Sequence, residues 1–328
     1  MSNFSDDKLD CANNELKVIV TGSSGYVASN LIPLLKKNYK VIGFDKVKSI
    51  NTTHVGNINE SKILNIPEIN NDESFIIINL ASARFDFGAT AEDYYRLNVE
   101  CHVKFLDSLS GLNIKKIVHI SSVAAIDGRS ISFSKDLNCD DAYRSTKYLQ
   151  EKLIKDWCYD HDIELFLFYP SAIFSEDARS DTNIGKLQSI SRIIPFIPEI
   201  DVAKSLTYLP NFSQFIIKSL VDEIPSGKYL TIEKPSLTVS QMIQKISGRN
   251  IPLIRIPYLQ QLLKTAASFL HFIGLFGRID LKLTPNRVIK LFSDTSYNEL
   301  DDKDIDVNTY MVHNKYNLLE VLRNFNKT

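Results

Sequence analysis

The chain has 328 residues, of which 44% are hydrophobic and 23% are charged, and its formal net charge at pH 7 is −1. This composition predicts an ordinary globular protein, large enough for one large domain or for two. The near-zero net charge gives no electrostatic footprint for nucleic acid. The most apolar late stretch, residues 265–276, is shorter than the ~20 residues that a membrane-spanning helix needs, so no transmembrane segment is expected.

Cysteine usage and the N-terminus indicate where the protein works. Cys11, Cys101, Cys139 and Cys158 are far apart and form no paired Cys/His motif. The sequence therefore predicts neither a disulfide framework nor a metal site, and it fits a reducing cytoplasm. Residues 1–15 are polar and lack the basic and then apolar order of a signal peptide, so we expect a flexible N-terminal segment.

A strand, a glycine turn and a helix follow one another at the start of the folded region. Residues 16–21 form a β-branched run that predicts a buried strand, and a helical pattern begins soon after Gly25. Gly22 permits a tight turn, Gly25 lets the backbone approach a pyrophosphate, and Ala28 stands where a third glycine often packs helix against strand. The N–H groups at the helix N-terminus would hold the phosphates, so the stretch predicts a dinucleotide-binding loop.

The second predicted strand, residues 40–45, ends in Asp45, about twenty residues beyond the glycine loop. An acid at that position accepts hydrogen bonds from the adenosine ribose hydroxyls and repels a 2′-phosphate. Asp45 therefore favours NAD over NADP, although Lys46 and Lys48 lie beside it and weaken the inference. The alternative is that Asp45 is only a turn residue at the end of a strand.

The alternation of strands and helices continues for about 150 residues, which predicts an α/β fold with a doubly wound parallel sheet. Ligands of such sheets bind outside the carboxyl ends of the strands, where Gly25, Asp45, Ala81 and Ser122 all fall. The further predicted strands are 74–83, 114–122 and 163–170, and the predicted helices are 91–110 and 141–157.

The helix predicted at 141–157, with Asp140 and Asp141 as its expected caps, places Tyr143 and Lys147 four residues apart on one face. An ammonium close to a phenol favours the phenolate and lowers a pKa that starts near ~10. A tyrosine tuned in this way can exchange a proton with a hydroxyl or carbonyl group. The alternative is a surface tyrosine and lysine that merely happen to be four residues apart.

The alternating pattern ends after Pro170, and residues 171–204 are predicted to be irregular. Residues 216–221 and 229–232 are predicted to return to the sheet region, and helices are predicted at 240–247, 258–274 and 317–324. The expected organisation is a flexible N-terminus at 1–15, a dinucleotide-binding domain at 16–170, and a smaller, mostly helical substrate region at 171–328, of which about 205–232 returns to the core.

Four motifs in this order resemble the extended short-chain dehydrogenase/reductase superfamily, in its NAD-dependent nucleotide-sugar epimerase/dehydratase-like branch. Residues 21–28 are similar to the TGxxGxxG/A loop, Ser121-Ser122 to the serine that follows a central strand, and Tyr143 to Lys147 to the YxxxK pair. Tyr169-Pro170 stands where the family has Arg-Pro. The resemblance implies a Rossmann fold with a C-terminal substrate domain.

The resemblance also implies site residues and assigns Ser122, Tyr143 and Lys147 to catalysis. Beyond Tyr143 and Lys147, the implied cofactor-binding residues are Gly22, Ser24, Gly25, Tyr26, Val27, Asp45, Lys46, Asn57, Ile58, Leu80, Ala81, Ser82, Asn98, Pro170 and Ile173. The implied substrate-binding residues are Arg84, Ser122, Asn183 and Lys204. The basic residue near the position of Lys204 commonly meets the sugar-nucleotide diphosphate in the family, whereas here it could equally be a solvated lysine.

The activity implied is hydride transfer at C4 of a nucleotide-diphosphate sugar, with a UDP-sugar favoured, by a cytoplasmic homodimer that makes sugars for cell-surface polysaccharide. NAD is the implied cofactor, and NADP is less favoured. Epimerisation and 4-keto reduction both stay open. Dehydration is disfavoured because Ala124 and Ala125 stand where the family's dehydratases carry Asp-Glu.

Departures from the family pattern leave other functions open. Asp127 replaces the usual tyrosine before Gly128, and counting back from Gly128 in the commoner frame places Val123 rather than Ser122 at the catalytic position. Pro210-Asn211 replaces an acidic pair. The alternatives are a carbonyl or hydroxysteroid-type reductase of the same superfamily, favoured by Ala28 and the apolar stretch 265–276, and a non-catalytic dinucleotide-binding protein.

Overall fold

A computed structural model describes residues 16–58, 66–70, 72–83, 88–176, 183–277 and 285–297. The predicted flexible segment 1–15, the candidate substrate ligand Arg84 and the predicted helix 317–324 lie outside the described residues. The side chain of Asn183 also lies outside them, although its backbone is described.

Strands and helices alternate along the described chain. The strands are Leu16–Thr21 (β1), Lys40–Asp45 (β2), His54–Val55 (β3), Ser74–Asn79 (β4), Asn113–Ile120 (β5), Glu164–Pro170 (β6), Ala172–Phe174 (β7), Ile197–Pro198 (β8), Ala203–Tyr208 (β9), Gly227–Thr231 (β10), Glu233–Thr238 (β11) and Leu253–Ile254 (β12). The α-helices are Tyr26–Leu35 (α1), Ala91–Tyr95 (α2), Cys101–Ser108 (α3), Val123–Gly128 (α4), Cys139–Asp160 (α5), Asn183–Ser191 (α6), Leu209–Leu220 (α7), Val239–Ser247 (α8), Leu259–Gly277 (α9) and Pro285–Leu291 (α10). A π-helical turn, Arg96–Glu100, joins α2 to α3.

Seven strands form a parallel sheet in the order β10-β6-β5-β4-β1-β2-β3. The order reverses between β1 and β4, which is the topological switch point where doubly wound sheets bind ligands. The middle strands are buried on both faces, and residues 75–78 of β4 have no measurable exposure. Continuous isoleucine and valine runs of this kind are typical of parallel strands covered by helices on both sides. The predicted α/β doubly wound fold is confirmed.

The described chain divides into two compact units. The first holds the seven-stranded sheet, α1 to α5, the π-turn and α7, and comprises the described residues up to 171 together with 209–231. The second comprises the described residues in 172–208 and 232–297. It contains a three-stranded sheet in the order β11-β9-β7, the paired strands β12 and β8, and four helices, packed around a core that includes Phe174, Leu206 and Ile246.

Three predicted stretches can be compared with the structure in more detail. Residues 216–221, predicted to return to the sheet region, lie mostly in α7, a helix of the unit that holds the seven-stranded sheet. Phe212, Phe215 and Ile216 recur at helical spacing and are buried, and both phenylalanine rings contact Phe168 of β6 at centroid distances of 6.0 and 5.4 Å. The stretch 171–204, predicted to be irregular, contains β7, α6, β8 and the start of β9, short elements that a search for long periodic patterns misses.

The start of α5 also differs from its prediction. The helix begins at Cys139, and Asn138 is its N-cap rather than Asp140 or Asp141. The side-chain oxygen of Asn138 accepts hydrogen bonds from the backbone N–H groups of Asp140 and Asp141, at 3.0 and 3.1 Å. The two acids therefore occupy the first turn, where negative charge complements the helix dipole.

Gly128, the last residue of α4, holds that helix tightly against α5. A Cβ atom on Gly128 would lie 2.1 Å from the backbone carbonyl oxygen of Arg144 and 2.5 Å from its carbonyl carbon. Both obstacles are backbone atoms of a long helix, so they cannot swing aside as a flexible side chain would. The glycine therefore fixes the position of α5 next to Tyr143.

Gly128→Ala should destabilise the fold by about 1–3 kcal/mol, because the added methyl group must push the two helices apart. Urea denaturation followed by far-UV circular dichroism measures the change. Ser130→Ala, two residues further along at an exposed position, is the control and should shift stability by no more than about 0.5 kcal/mol. An alanine variant as stable as the original protein would show that α4 does not hold α5 in place.

Candidate active site

The glycine loop after β1 passes very close to the end of β4. Gly22 has a φ of +71°, and a Cβ there would lie 2.9 Å from the backbone nitrogen of Ala81 and from the carbonyl carbon of Leu80. Only glycine combines this left-handed backbone with such a close approach. Gly25 is the N-cap of α1, and among the described residues no side chain caps this helix. Since the N-terminus of a helix favours negative charge, this end of α1 suits an anionic group.

Asp45, the last residue of β2, holds the loop from the other side. One carboxylate oxygen accepts hydrogen bonds from the backbone N–H and the hydroxyl of Ser24, at 2.9 and 2.7 Å, and the other accepts from the N–H of Val47 at 3.0 Å. A carboxylate has about four acceptor sites, so three are used and one is left for a further donor. Asp45 is thus more than a turn residue, because it anchors the loop that precedes α1.

Asn98 joins the segment after β4 to helix α5. Its side-chain oxygen accepts hydrogen bonds from the N–H of Ala83 at 2.6 Å and from the hydroxyl of Ser82 at 3.2 Å, and its nitrogen donates to the hydroxyl of Thr146 at 3.2 Å. Asn98 is fully buried in the π-turn. Such turns occur frequently at functional sites. The sequence carried no recognisable signal for the π-turn, because its residues also fit a continuous helix.

Lys147 lies buried in α5, with a relative exposure of 1%. Its ammonium donates hydrogen bonds to the carbonyl oxygen of Ile120, the last residue of β5, at 3.2 Å and to the side-chain oxygen of Gln150 at 2.8 Å. Burial lowers the pKa of Lys147 to about 7, and the nearby Glu151 carboxylate opposes that shift. The lysine is therefore not a solvated surface residue.

Tyr143 lies one helical turn before Lys147 on the same helix. It is half-buried, and its ring meets the ring of Tyr94 edge to face at a centroid distance of 6.0 Å. This contact belongs to a small apolar cluster with Ala91 and Ala142, which ties α5 to α2. The tyrosine and the lysine share one helix face in the same unit as the glycine loop.

Ser122 follows β5 directly and is the N-cap of α4, where its hydroxyl accepts a hydrogen bond from the N–H of Ala124 at 3.2 Å. Val123 is the first residue of that helix, and both residues are half-buried. The two positions are adjacent at the same strand end. The choice of Ser122 as the catalytic hydroxyl stays a prediction.

Glu151 is a buried acid that the sequence analysis missed. One of its oxygens accepts a hydrogen bond from the hydroxyl of Tyr169 at 2.6 Å, and the other accepts from Ser121 at 3.0 Å. Burial, and then the Glu151 carboxylate, raise the pKa of Tyr169, while Arg129 acts in the opposite direction. Glu151 lies one turn beyond Lys147 on the same face, and that i,i+4 spacing was the available signal.

Several other candidates lie at the strand ends of the first unit. Tyr26 and Val27 begin α1, Leu80 follows β4, and Pro170 ends β6. Lys46 is exposed beyond Asp45, and Ile58, next to Asn57, packs against the apolar core. Their predicted roles in cofactor binding stay predictions.

Two candidates belong to the second unit, together with the backbone of Asn183. Ile173 lies in β7 and pairs with Thr207 of β9. The ammonium of Lys204 donates hydrogen bonds to the carbonyl oxygens of Lys290, at 2.8 Å, and Ser293, near the end of α10. Lys204 is thus not a solvated lysine, and its role toward a substrate stays a prediction.

The family model that describes the NAD-dependent epimerase/dehydratase family matches residues 18–209, more than half of the chain. The chain belongs to this family. The match covers the glycine loop, Asp45, the Tyr143 and Lys147 pair and Pro170. None of the curated proteins matches the chain.

Solved structures share the fold of this family member. UDP-glucuronic acid 4-epimerase from Bacillus cereus, solved with UDP-glucuronic acid and NAD, is 18% identical, with a TM-score of 0.58 over 73% of this chain and 86% of that chain. UDP-N-acetylglucosamine 4-epimerase from Methanobrevibacter ruminantium, solved with UDP-N-acetylmuramic acid, is 18% identical, with a TM-score of 0.58 over 73% and 84%. A short-chain dehydrogenase/reductase from Agrobacterium tumefaciens with bound NAD is 17% identical, with a TM-score of 0.57 over 74% and 85%.

Lys147→Met should change how stability depends on pH. In the folded protein the pKa of Lys147 is about 7, against 10.5 for an unperturbed lysine. Between these values the unfolded state binds more protons, so the original protein gains up to about 1.4 kcal/mol of stability per pH unit from this group as pH rises. Below pH 7 the full cost of burying the Lys147 charge is present in the original protein. The free energy of unfolding of Lys147→Met, relative to that of the original protein, should therefore be highest below pH 7 and fall as pH rises above 7.

Urea unfolding at several pH values measures this difference for Lys147→Met. Lys152→Met, at an exposed position of α5, is the matched control and should show a difference independent of pH. A Lys147→Met difference that is equally flat would mean that the lysine is not desolvated in solution.

Tyr169→Phe should destabilise the protein by about 1.5–3 kcal/mol, because it removes a hydrogen bond to the buried Glu151 carboxylate and leaves that oxygen with one donor fewer. Thermal or urea unfolding measures the loss. Tyr159→Phe is the control, since that ring is 86% exposed at the far end of α5. Equal stability of the two variants would contradict a stabilising bond between Tyr169 and Glu151.

Proposed function

We propose that this protein is an NAD-dependent enzyme that transfers hydride at C4 of a nucleotide-diphosphate sugar, either inverting that carbon or reducing a 4-keto group. The observation that carries the proposal is the buried ammonium of Lys147, held by the carbonyl oxygen at the end of β5, one helical turn from Tyr143. Family membership and the glycine loop in the same unit support it.

The residues present fit a dinucleotide. The glycine loop makes the tight turn that this role needs, because Gly22, at a φ of +71°, packs directly on the backbone of Leu80 and Ala81. The N-terminus of α1 carries no side-chain cap among the described residues, and Asp45 retains an acceptor site beyond those that Ser24 and Val47 use. When bound, NAD supplies the chemistry of accepting and returning a hydride. The loop N–H groups would hold the pyrophosphate, Asp45 the adenosine ribose and Lys147 the nicotinamide ribose. Asn98 would hold Ser82 and Ala83, after β4, in position at the cofactor site.

The proton transfer falls to Tyr143. Its phenol oxygen, as phenolate, takes the proton of the sugar hydroxyl when that carbon is oxidised, and returns it when the carbonyl is reduced. Lys147 brings a positive charge to the same face of the helix, one turn away. Ser122, in our proposal, donates a hydrogen bond to the same sugar oxygen. The carbonyl of Ile120 and Gln150 keep the ammonium in place for this task.

A nucleotide-diphosphate sugar, with UDP as the favoured nucleotide, is the proposed substrate. The Bacillus cereus and Methanobrevibacter ruminantium structures carry UDP-sugars on the same fold, which supports this class. Arg84, Asn183 and Lys204 are the proposed substrate contacts. A cytoplasmic homodimer that supplies sugars for cell-surface polysaccharide is part of the proposal, with residues 92–110 and 143–159 as its pairing helices. None of the described helices is long and apolar enough to cross a membrane.

Tyr143→Phe should lower turnover by about 10²–10⁴-fold, because it removes the acid–base hydroxyl while keeping the ring. Turnover is measured by incubating the purified protein with NAD and a panel of UDP-sugars, and by following C4 inversion by proton NMR or cofactor reduction by absorbance. Tyr148→Phe, on the same helix and also half-buried, is the matched control and should keep full turnover.

Three outcomes would contradict the proposal. Undiminished turnover in the Tyr143 variant would remove this residue from the chemistry. Turnover of apolar ketones with no binding of UDP-sugars, measured by calorimetry, would instead favour a carbonyl or hydroxysteroid-type reductase. Redox-dependent binding of a protein partner with no turnover on the whole panel would favour a non-catalytic dinucleotide-binding protein.

A further inference from the structure

A set of large apolar side chains is exposed in the second unit, in β12 and in and just before α9. Leu253, Ile254, Tyr258, Leu262 and Phe269 have relative exposures between 42% and 78%. They fall within 17 consecutive residues, 253–269. Single exposed apolar residues are ordinary, but a concentration of this kind marks an interaction surface. We call residues 253–269 the apolar segment.

The helical part of the apolar segment has two distinct faces. Leu262 and Phe269 are seven residues apart, about two helical turns, which places them on one side of α9, and the exposed Tyr258 comes directly before the helix. Ala267 lies on the opposite side and is fully buried. The helix thus packs on its own unit through one face and presents aromatic and aliphatic side chains on the other. It has 19 residues and is about 28 Å long.

All charged residues in the stretch of sequence that contains the apolar segment are cationic. No aspartate or glutamate occurs among residues 234–279, although the chain has 39 acidic residues in 328. The same stretch carries six cationic residues: Lys234, Lys245, Arg249, Arg255, Lys264 and Arg278. Among these, Arg255 and Lys264 lie within the apolar segment, and both are exposed.

Arg249, another cation of this stretch, contacts the chain beside a further exposed apolar residue. Its guanidinium donates a hydrogen bond to the carbonyl oxygen of Arg192 at 3.1 Å, next to Ile193, which is 81% exposed. One acid, Glu199, contacts the apolar segment through its backbone, where its N–H donates to the carbonyl oxygen of Ile254 at 2.9 Å. Cations therefore outnumber acids around the exposed apolar residues.

We propose that the apolar segment docks on an anionic phospholipid surface, with Tyr258, Leu262 and Phe269 entering the headgroup and acyl boundary and Arg255 and Lys264 meeting lipid phosphates. An amphipathic helix with aromatic and aliphatic residues on one face and cations beside them lies in the plane of a membrane interface. The excess of cations over acids around the segment favours a negatively charged partner surface. The apolar segment therefore binds to the surface of a membrane without spanning it.

Vesicle flotation tests the proposal with the full-length protein. Vesicles of phosphatidylcholine containing about a third phosphatidylserine should carry the protein upward at low salt, and binding should fall as salt screens the charges. Phosphatidylcholine vesicles alone should bind it much less. The double variant Leu262→Ser/Phe269→Ser should bind about tenfold or more weakly, because it removes the apolar anchor.

A second double variant measures the contribution of the cations to vesicle binding separately from that of the apolar side chains. Arg255→Gln/Lys264→Gln should weaken binding to the anionic vesicles by about fivefold for each cation removed. Ile50→Ser is the matched control, since Ile50 is an apolar residue of the first unit that is 95% exposed, and it should bind as well as the original protein. Flotation does not measure turnover, so this test does not depend on the proposed enzymatic function.

Three results would overturn the proposal. The first is no flotation with anionic vesicles at low salt. The second is equal binding to neutral and anionic vesicles, which would remove the role of the cations. The third is a change from dimer to monomer in the Leu262/Phe269 variant by light scattering, without any vesicle binding, because the apolar segment would then be covered by a second copy of the chain.

Discussion

The hydrogen bond from the ammonium of Lys147 to the carbonyl oxygen of Ile120 is the constraint on which the site depends. A buried cation is unfavourable unless polar groups surround it. The end of β5 provides one acceptor and Gln150 provides the other, and Gln150 in turn donates to the carbonyl of Ala81 after β4 at 3.0 Å. One lysine thereby fixes helix α5 against the ends of two neighbouring strands.

Polar contacts of the same kind surround that lysine. Asn98 connects the segment after β4 with Thr146, and Glu151 connects Ser121 after β5 with Tyr169 in β6. The buried face of α5 is consequently rich in polar side chains, which would be unfavourable in an ordinary core. Here Lys147, Gln150 and Glu151 each have a partner at or beside a strand end, so the helix position is set by hydrogen-bond geometry as well as by packing.

Most of the first unit was predictable because its signals are local. The glycine loop, the strand runs and the Tyr143 to Lys147 spacing each depend on a few consecutive residues. Glu151 was missed because its importance comes from Tyr169, 18 residues away, and the partner of a buried acid cannot be read from local pattern. The helical form of residues 216–220 was not predicted, because that helix is stabilised by the packing of Phe212 and Phe215 on Phe168 of a distant strand. The short strands of the second unit lacked the length that periodic patterns require.

Helix α1 is weak when considered alone. It has ten residues, its N-terminus has no side-chain cap among the described residues, and Pro33 within it removes one backbone donor. An isolated helix of this length is marginal in water. Occupancy of its N-terminus by an anionic ligand would therefore contribute to folding as well as to chemistry, by about 2.7 kcal/mol when the ligand is present at one hundred times its Kd. The persistence of the folded chain in the cell would then follow the concentration of its own cofactor.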